Sequence, residues 1–277
     1  MHEHRGRVLV IAGSDSGGGA GLQADVKTIT MLGGYASTAV TAVTVQNTLG
    51  VHAVFAIPPD IVRAQGRVVL EDIGADAVKV GMLGDATLVE VAAELIDAAG
   101  EAPAVIDPVM VAKGGASLAS DVAVQALRTL LIPRAALLTP NAPEAEALTG
   151  REVRTPDHLH RAGEALLEAG ARAVLVKGGH LPGERLIDVL VTPYGETRFE
   201  GGRIHSRHTH GTGCTLASAV AARLAQGWPL EPAVAAARDY VREAIRAAPG
   251  LGGGHGPLHH GWPLGDPADP PEATEYR

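Results

Sequence analysis

Thr209-His210-Gly211-Thr212-Gly213-Cys214-Thr215 stands at the head of an apolar-periodic stretch of helix length. Glycines at a helix N-terminus leave backbone N–H groups uncovered, and with the helix dipole these can stabilise a phosphoryl group in transfer. Cys214 falls in that first turn, where the positive end of the dipole favours thiolate and so a proton acceptor for an attacking hydroxyl. The plainer alternative is a Gly-rich loop beside a packed, inert cysteine.

A second glycine cluster, Ala12-Gly13-Ser14-Asp15-Ser16-Gly17-Gly18-Gly19-Ala20-Gly21, lies between the first strand-like run and the first helical one. Its spacing does not fit GxGxxG, and Gly33 to Val45 holds no carboxylate to receive a ribose, so nicotinamide binding is not indicated. Two readings remain, a plain strand-to-helix turn or a loop with Asp15 and Asp25 facing a small ligand. Polar residues also close three apolar runs: Gln46-Asn47, Asp107-Pro108, and Asn141 with Glu144. At the carboxyl ends of parallel strands such residues line one crevice, and carboxylates there suit magnesium, so Asp107 and Glu144 are candidate metal ligands. Asn141 followed by Pro143 and Glu144 equally matches a helix-start box. Lys177-Gly178-Gly179-His180 places an ammonium beside glycines that admit phosphate, which points to nucleotide binding. Twelve histidines invite a metal reading, but His205, His208 and His210 alternate as along a strand and carry no accompanying ligand pattern.

The elements that must position these residues alternate in kind. Strands are expected at Val8–Ile11, Ala36–Val45, Ala53–Ile57, Ala77–Val80, Ala104–Ile106, Ala136–Leu138 and Ala173–Val176, several without polar alternation, as in parallel strands covered on both faces. Helices are expected at Gly21–Met31, Pro59–Asp72, Ala86–Ala99, Asp121–Leu131, Pro143–Leu148, Pro156–Ala169, Thr212–Gln226 and Pro232–Ala247. Between Leu186 and Ile204 the pattern changes to a hairpin around Pro193-Tyr194-Gly195-Glu196 at a sheet edge. The expectation is an α/β protein with a mostly parallel sheet between helical layers, one domain over residues 1–260, and a Pro-rich tail over 261–277.

Composition agrees and excludes other classes. Hydrophobic residues make up 46% of the 277, with only 3% aromatic, so the core is built from Ala, Val, Leu and Ile. A formal net charge of −8 without any block of Lys or Arg argues against nucleic acid or an anionic membrane as partner. No apolar run reaches the length of a membrane-spanning helix and the start lacks a signal-peptide pattern, so cytoplasmic residence is expected. The single cysteine excludes an intramolecular disulfide framework.

Assembled, these segments resemble the hydroxymethylpyrimidine and phosphomethylpyrimidine kinase family of the ribokinase-like group. The resemblance rests on Ala12–Thr28, Val43–Thr48, Val80–Leu83, Asp107–Gly115, Thr139–Leu148, Leu175–His180, His210–Ala222 and Gly254–Pro257, and covers nearly the whole chain. It implies a three-layer α/β/α ribokinase-like fold, ATP with magnesium, and phosphorylation of 4-amino-5-hydroxymethyl-2-methylpyrimidine and then of its monophosphate on the thiamine pathway. It further implies that Gln46 pairs with the pyrimidine edge, that Asp25 lies near the substrate hydroxymethyl or ring, and that Gly13, Val43, Met82 and Val109 contact the substrate. Gly211, Thr212, Gly213 and Cys214 match the family's anion hole, with Cys214 where the wider group of sugar kinases carries an aspartate base. Lys177, Asn141, Thr212 and Gly213 would then hold ATP phosphates. A homodimer is the family's usual state, with the Leu186–Ile204 hairpin as a pairing edge and Gly114–Gly115 or Gly252–Gly254 as flap hinges. The rivals are a pyridoxal kinase of the same fold and a ligand-sensing or ATP-dependent dehydratase module.

Overall fold

The computed structural model describes residues 6–110 and 120–265; the Gly114–Gly115 hinge and the end of the tail lie outside them. The chain runs β1 (Arg7–Ala12), α1 (Gly21–Met31), β2 (Tyr35–Val40), β3 (Ala42–Asn47), β4 (Gly50–Ala56), α2 (Pro59–Asp72), β5 (Ala77–Val80), α3 (Ala86–Ala98) and β6 (Ala104–Ile106). Beyond the undescribed stretch come α4 (Asp121–Ala126), β7 (Ala135–Leu138), α5 (Ala142–Thr149), α6 (Pro156–Glu168), β8 (Val174–Val176), β9 (Arg185–Thr192), β10 (Gly195–Gly202), α7 (Thr212–Ala225) and α8 (Leu230–Arg246). A π turn (Leu127–Leu131) and a short 3-10 turn (Ile132–Arg134) join α4 to β7.

Eight strands form one sheet in the order β10-β9-β8-β7-β6-β5-β1-β2. Pairing is parallel from β2 through β8 and antiparallel at β8–β9 and β9–β10, so the hairpin expected at Leu186–Ile204 forms the edge of a mixed sheet. The uninterrupted apolar strands have the expected cause, burial on both faces. Along β1, Leu9 and Ile11 pack with α2, α3, α5 and α6, whereas Val8, Val10 and Ala12 pack with α1, α7 and α8. These two cores give the three-layer architecture.

One expected strand is really two. Ala36–Val45 divides at Thr41, where the chain leaves the central sheet; β3 and β4 instead pair as a separate antiparallel ribbon with a register shift at Val45/Gln46. Thr41 is the pivot: its N–H donates to Ala12 O at 3.0 Å, its Oγ1 donates to Met82 O at 2.7 Å, and its carbonyl accepts from Ile57 N at 2.9 Å. The burial pattern changes there too, since Ala42 and Thr44 face inward and Val43 and Val45 outward, as in a ribbon with one covered face. The segment expected at Ala53–Ile57 is the second ribbon strand. The proposed histidine alternation on a strand is also absent, because the chain from Arg203 to Thr209 is not extended into the sheet. At the C-terminal side, Trp262 packs on Tyr240 with ring centroids 5.9 Å apart, so the chain still rests on the body beyond residue 260.

The antiparallel edge is tied to the rest by a buried charge pair. Asp188 on β9 accepts from Arg238 Nε of α8 at 2.7 Å and from Gly178 N at 2.9 Å. It therefore anchors the loop that follows β8, which carries Lys177. Removing one partner of such a pair strands the other charge in the core, at a cost of about 3–5 kcal/mol. Asp188→Ala is therefore expected to lower the urea midpoint by that equivalent, and a loss under about 1 kcal/mol would show the pair to be dispensable.

Candidate active site

The carboxyl ends of β1, β5, β6, β7 and β8 converge with the N-termini of α1, α5 and α7 around a cleft of about 480 Å³. The N-cap of α7 is Gly211, with φ of +84°. A Cβ there would lie 1.9 Å from Gly19 O, so the two glycine clusters of the sequence touch, and only glycine permits the contact. Asp15 fastens them together. Its carboxylate accepts from the N–H of Gly17 (2.8 Å), Gly19 (3.0 Å) and Ala20 (2.8 Å), and from His210 Nε2 at 2.8 Å. Burial pushes the Asp15 carboxyl up, but His210 and the backbone donors outweigh it and hold the group below its ordinary value. Asp15 is thus committed to its own loop and to His210.

Asp25 departs from expectation more sharply. It is fully buried beneath the cleft, where Lys79 Nζ donates to both of its oxygens at 2.9 and 2.8 Å and Ser218 Oγ donates at 2.7 Å. It does not line the cleft, whereas Lys79 does. Burial alone would lower the Lys79 ammonium, but Asp25 reverses this and raises it above its ordinary value. Lys79 was legible as the one charge within the buried strand Ala77–Val80, and neither it nor the Asp15–His210 contact was anticipated.

On the opposite wall, Lys177 Nζ donates to Asp107 Oδ1 at 2.8 Å, and Thr139 Oγ1 donates to the same oxygen at 3.1 Å. These groups face the first turn of α7, since a Cβ on Gly213 would come within 3.3 Å of both Lys177 Nζ and Asp107 Oδ2. Asn141 and Glu144 line the cleft while forming a complete capping box on α5: Asn141 Oδ1 accepts from Glu144 N at 2.9 Å, and Glu144 Oε2 accepts from Asn141 N at 2.8 Å. The capping reading of Asn141 therefore holds, and the cap leaves the residue in the cleft lining. Burial drives the Glu144 carboxyl up to about 7, helped by Asp107 and opposed by Lys177 and Asn141.

The remaining expected residues sort cleanly. Gly13, Gln46, Met82 and Val109 line the cleft with Gly211, Thr212, Gly213 and Cys214. Val43 does not: it is 49% exposed on the outer face of the ribbon, and Thr44 and Gln46 take the inward positions. Gly13 is closely packed, as a Cβ would meet Met82 Cε at 2.3 Å. For Cys214 the expectation of an acidified thiol fails. Burial raises it to about 11, with Asp25 and Asp107 adding to the rise and Lys79 opposing it. The desolvation of the site outweighs the helix terminus.

A cradle of backbone N–H groups, an ammonium–carboxylate pair and an amide-bearing wall is the equipment of phosphoryl transfer to a small polar ring. A family model described as phosphomethylpyrimidine kinase matches residues 15–259. A hydroxymethylpyrimidine/phosphomethylpyrimidine kinase of Streptomyces coelicolor is 51% identical over 259 residues, covering 94% of this chain and 96% of that one. Among solved structures, the pyridoxal kinase of Bacillus subtilis in complex with ADP superposes with a TM-score of 0.88 at 38% identity, covering 95% of this chain and 100% of that one. The phosphomethylpyrimidine kinase of Clostridium difficile does so with a TM-score of 0.77 at 40% identity, covering 86% and 99%. The chain belongs to the phosphomethylpyrimidine kinase family.

Proposed function

We propose that this protein uses ATP to phosphorylate the hydroxymethyl group of 4-amino-5-hydroxymethyl-2-methylpyrimidine and then the resulting monophosphate, supplying the pyrimidine diphosphate of thiamine biosynthesis in the cytoplasm. The observation that carries this is the juxtaposition of an uncovered helix N-terminus, Gly211–Cys214, with Lys177 and Asp107 on one side of the cleft and Gln46 on the other. The N–H groups of Thr212 and Gly213 receive the transferring phosphoryl group, with Lys177 and Asn141 beside the nucleotide phosphates. Gln46 offers the donor and acceptor that an aminopyrimidine edge needs. Met82 and Val109 supply apolar contact to the ring, and Gly13 keeps the floor low. Asp25, beneath the cleft, acts on substrate only through Lys79.

The donor set fits magnesium. Asp107 and Glu144 both line the cleft, and the hydrogen bonds described above engage one oxygen of each: Lys177 and Thr139 occupy Asp107 Oδ1, and the Asn141 N–H occupies Glu144 Oε2. One or two carboxylates, completed by phosphate oxygens and water, is the usual protein share of a magnesium shell. Bound there, the ion would neutralise charge on the nucleotide phosphates.

Cys214 is the proposed acceptor of the alcohol proton in the first step. The second step starts from a phosphate oxygen already ionised near neutral pH, so it needs no base. In an assay with ATP, magnesium and the pyrimidine alcohol, the wild-type protein is expected to form the diphosphate, and pyridoxal to be the poorer acceptor. Preference for pyridoxal would transfer the assignment to the rival that the Bacillus subtilis structure represents. In the same assay Cys214→Ser and Cys214→Ala are expected to slow the first phosphorylation at least about 100-fold more than the second, the lower range for loss of a general base. Equal losses would assign Cys214 to electrostatics or packing.

The accepting thiolate is the minor form at neutral pH, favoured by Lys79 and opposed by burial. A thiol raised to about 11 keeps its proton until the pH approaches that value. Alkylation of Cys214 by iodoacetamide in the ligand-free protein should therefore keep accelerating up to about pH 11. A plateau near pH 9 would show an unperturbed thiol.

A homodimer is proposed as well, on a surface other than the one anticipated. The outer edge strand β10 exposes Glu196, Arg198 and Glu200, charges that discourage edge pairing. The β3–β4 ribbon instead exposes Val43, Val45 and Phe55 on one face, where Val43 and Phe55 are cross-strand partners. Light scattering after size-exclusion chromatography should give twice the chain mass for the wild type and the single-chain mass for a Val45→Glu, Phe55→Glu variant. A dimer that survives both changes would exclude the ribbon.

A further inference from the structure

Gln46 reaches into the cleft between two fixed groups. One end of its amide lies 3.3 Å from His210 Nε2, the other 3.4 Å from Thr44 Oγ1. The two ends of an amide have nearly the same shape, so its hydrogen-bond partners decide which is which.

Both partners have their protons spoken for. Asp15 holds a carboxylate against His210 Nε2 at 2.8 Å and can only accept, so His210 Nε2 carries the proton in either the neutral or the cationic ring. With no lone pair left there, that nitrogen cannot accept from an amide N–H. Thr44 Oγ1 spends its single proton on Ser14 O at 2.9 Å and retains only lone pairs for Gln46. Setting Gln46 Nε2 toward His210 and Oε1 toward Thr44 therefore opposes donor to donor and acceptor to acceptor. The reverse orientation removes both clashes at the same spacing: the His210 Nε2 proton, directed mainly at Asp15, is shared with Gln46 Oε1, and Gln46 Nε2 donates to Thr44 Oγ1. The backbone cannot swing away to avoid the choice, because Ser16 Oγ bridges it, accepting from Gln46 N and donating to Gln46 O, each at 2.8 Å.

We propose that His210, held by Asp15, is a positioning residue for substrate specificity, fixing the Gln46 amide with Oε1 toward His210 and Nε2 toward Thr44. One oxygen lone pair and one N–H then remain for a ligand, in fixed order along the wall: acceptor on the His210 side, donor on the Thr44 side. An aminopyrimidine, with its exocyclic amino group beside a ring nitrogen, matches that order in one orientation only. Its amino group lies toward His210 and its ring nitrogen toward Thr44. Pyridoxal, whose ring nitrogen has no adjacent amino group, cannot engage both. The assignment of this ligand rests on the function proposed above, whereas the amide orientation rests on the hydrogen bonds alone.

Two measurements test it separately. Long-range proton–nitrogen correlation spectra of the ligand-free protein, assigned with a His210→Gln variant, should show a proton on His210 Nε2. An unprotonated Nε2 would overturn the proposal. In kinetics on the pyrimidine alcohol, His210→Leu is expected to raise KM about tenfold, the worth of one buried hydrogen bond, with kcat changed less, and to narrow the preference over pyridoxal. His210→Gln, which keeps an N–H near the Nε2 position, should restore most of the KM, a rescue that a merely structural role for the ring would not produce. If KM were unchanged in a folded His210→Leu protein, or Gln failed to rescue, the positioning role would fall. If the wild type ignored the pyrimidine while Nε2 still carried its proton, the amide orientation would stand and the substrate assignment would fail.

Discussion

The fold is organised around a charge pair that a hydrophobic core should not tolerate. Lys79 and Asp25 are both fully buried, and moving two such ions out of water costs several kcal/mol each unless the pairing is close and the remaining hydrogen-bond capacity is filled. Two contacts from Lys79 and one from Ser218 make the pairing close, while burial still raises the Asp25 carboxyl above its ordinary value. These contacts tie three elements together: β5 from the centre of the sheet, α1 from the first crossover, and α7, whose uncapped N-terminus lines the cleft. Helix α7 also packs along α1 and α8 through small side chains, Ala217, Ala219, Ala221 and Ala222, which offer little directional preference of their own. The ion pair supplies what that smooth surface lacks, a single registration of α7 against the sheet. Cys214 precedes Ser218 by one helical turn and so shares its face, which brings the thiol within the field of both charges.

Above this foundation two glycine-rich loops close on each other through a backbone contact and one carboxylate. Gly19 and Gly211 meet backbone to backbone, and the carboxylate of Asp15 fills the orphan N–H groups of one loop while capturing His210 from the other. The N–H groups of α7 are left unpaired by side-chain caps, an arrangement that costs stability in an ordinary helix and is useful only if an anion comes to occupy them. Helix α5, across the cleft, is by contrast fully capped by its own box. Of the three N-termini at the cleft, α5 is closed by its own side chains, whereas α7, like α1, has no side-chain cap.

Much of this was legible because local chemistry and tertiary environment agreed. Apolar runs without alternation meant strands buried on both faces, Pro193-Tyr194-Gly195-Glu196 meant a turn, and Asn141 with Glu144 meant a cap. What misled was information that local patterns do not carry. Ala36 to Val45 is one apolar run, and nothing within it announces that Thr41 will bond to Ala12, Met82 and Ile57 and turn the chain out of the sheet. Val43, placed at the ring by the resemblance alone, sits on the outer face of the β3–β4 ribbon. Asp15 and Asp25 were candidates to face a ligand; Asp15 lines the cleft while bonded to its own loop, and Asp25, on α1, lies beneath it. Their partners, His210 and Lys79, are 195 and 54 residues away. Cys214 was expected to be acidified by its helix terminus, a local effect, and is instead dominated by desolvation, which depends on everything packed around it. Lys79 carried a usable signal, since a lysine inside a buried strand has to be paired.

The same cradle must serve two acceptors if both phosphorylations are to occur. In the first, the reacting oxygen is the alcohol of a hydroxymethyl group, one carbon from the ring; in the second, it sits one phosphate further out. The phosphoryl position is fixed by α7 and cannot follow that change, so the ring has to shift or tilt between the steps. The walls differ in their capacity to allow this. Met82 and Val109 offer non-directional apolar contact, which tolerates sliding, whereas the Gln46 amide demands a donor and an acceptor in set order. A ring that slides along Met82 while pivoting about Gln46 keeps its identity check in both steps and moves only its substituent. On this account the cation arrangement is also asymmetric for a reason. Lys177 is neutralised by Asp107 on one wall of the cleft, and Lys79 by Asp25 beneath it. A substrate that arrives bearing its own phosphate therefore meets paired ammonium groups rather than a naked cation that would hold it too tightly to react.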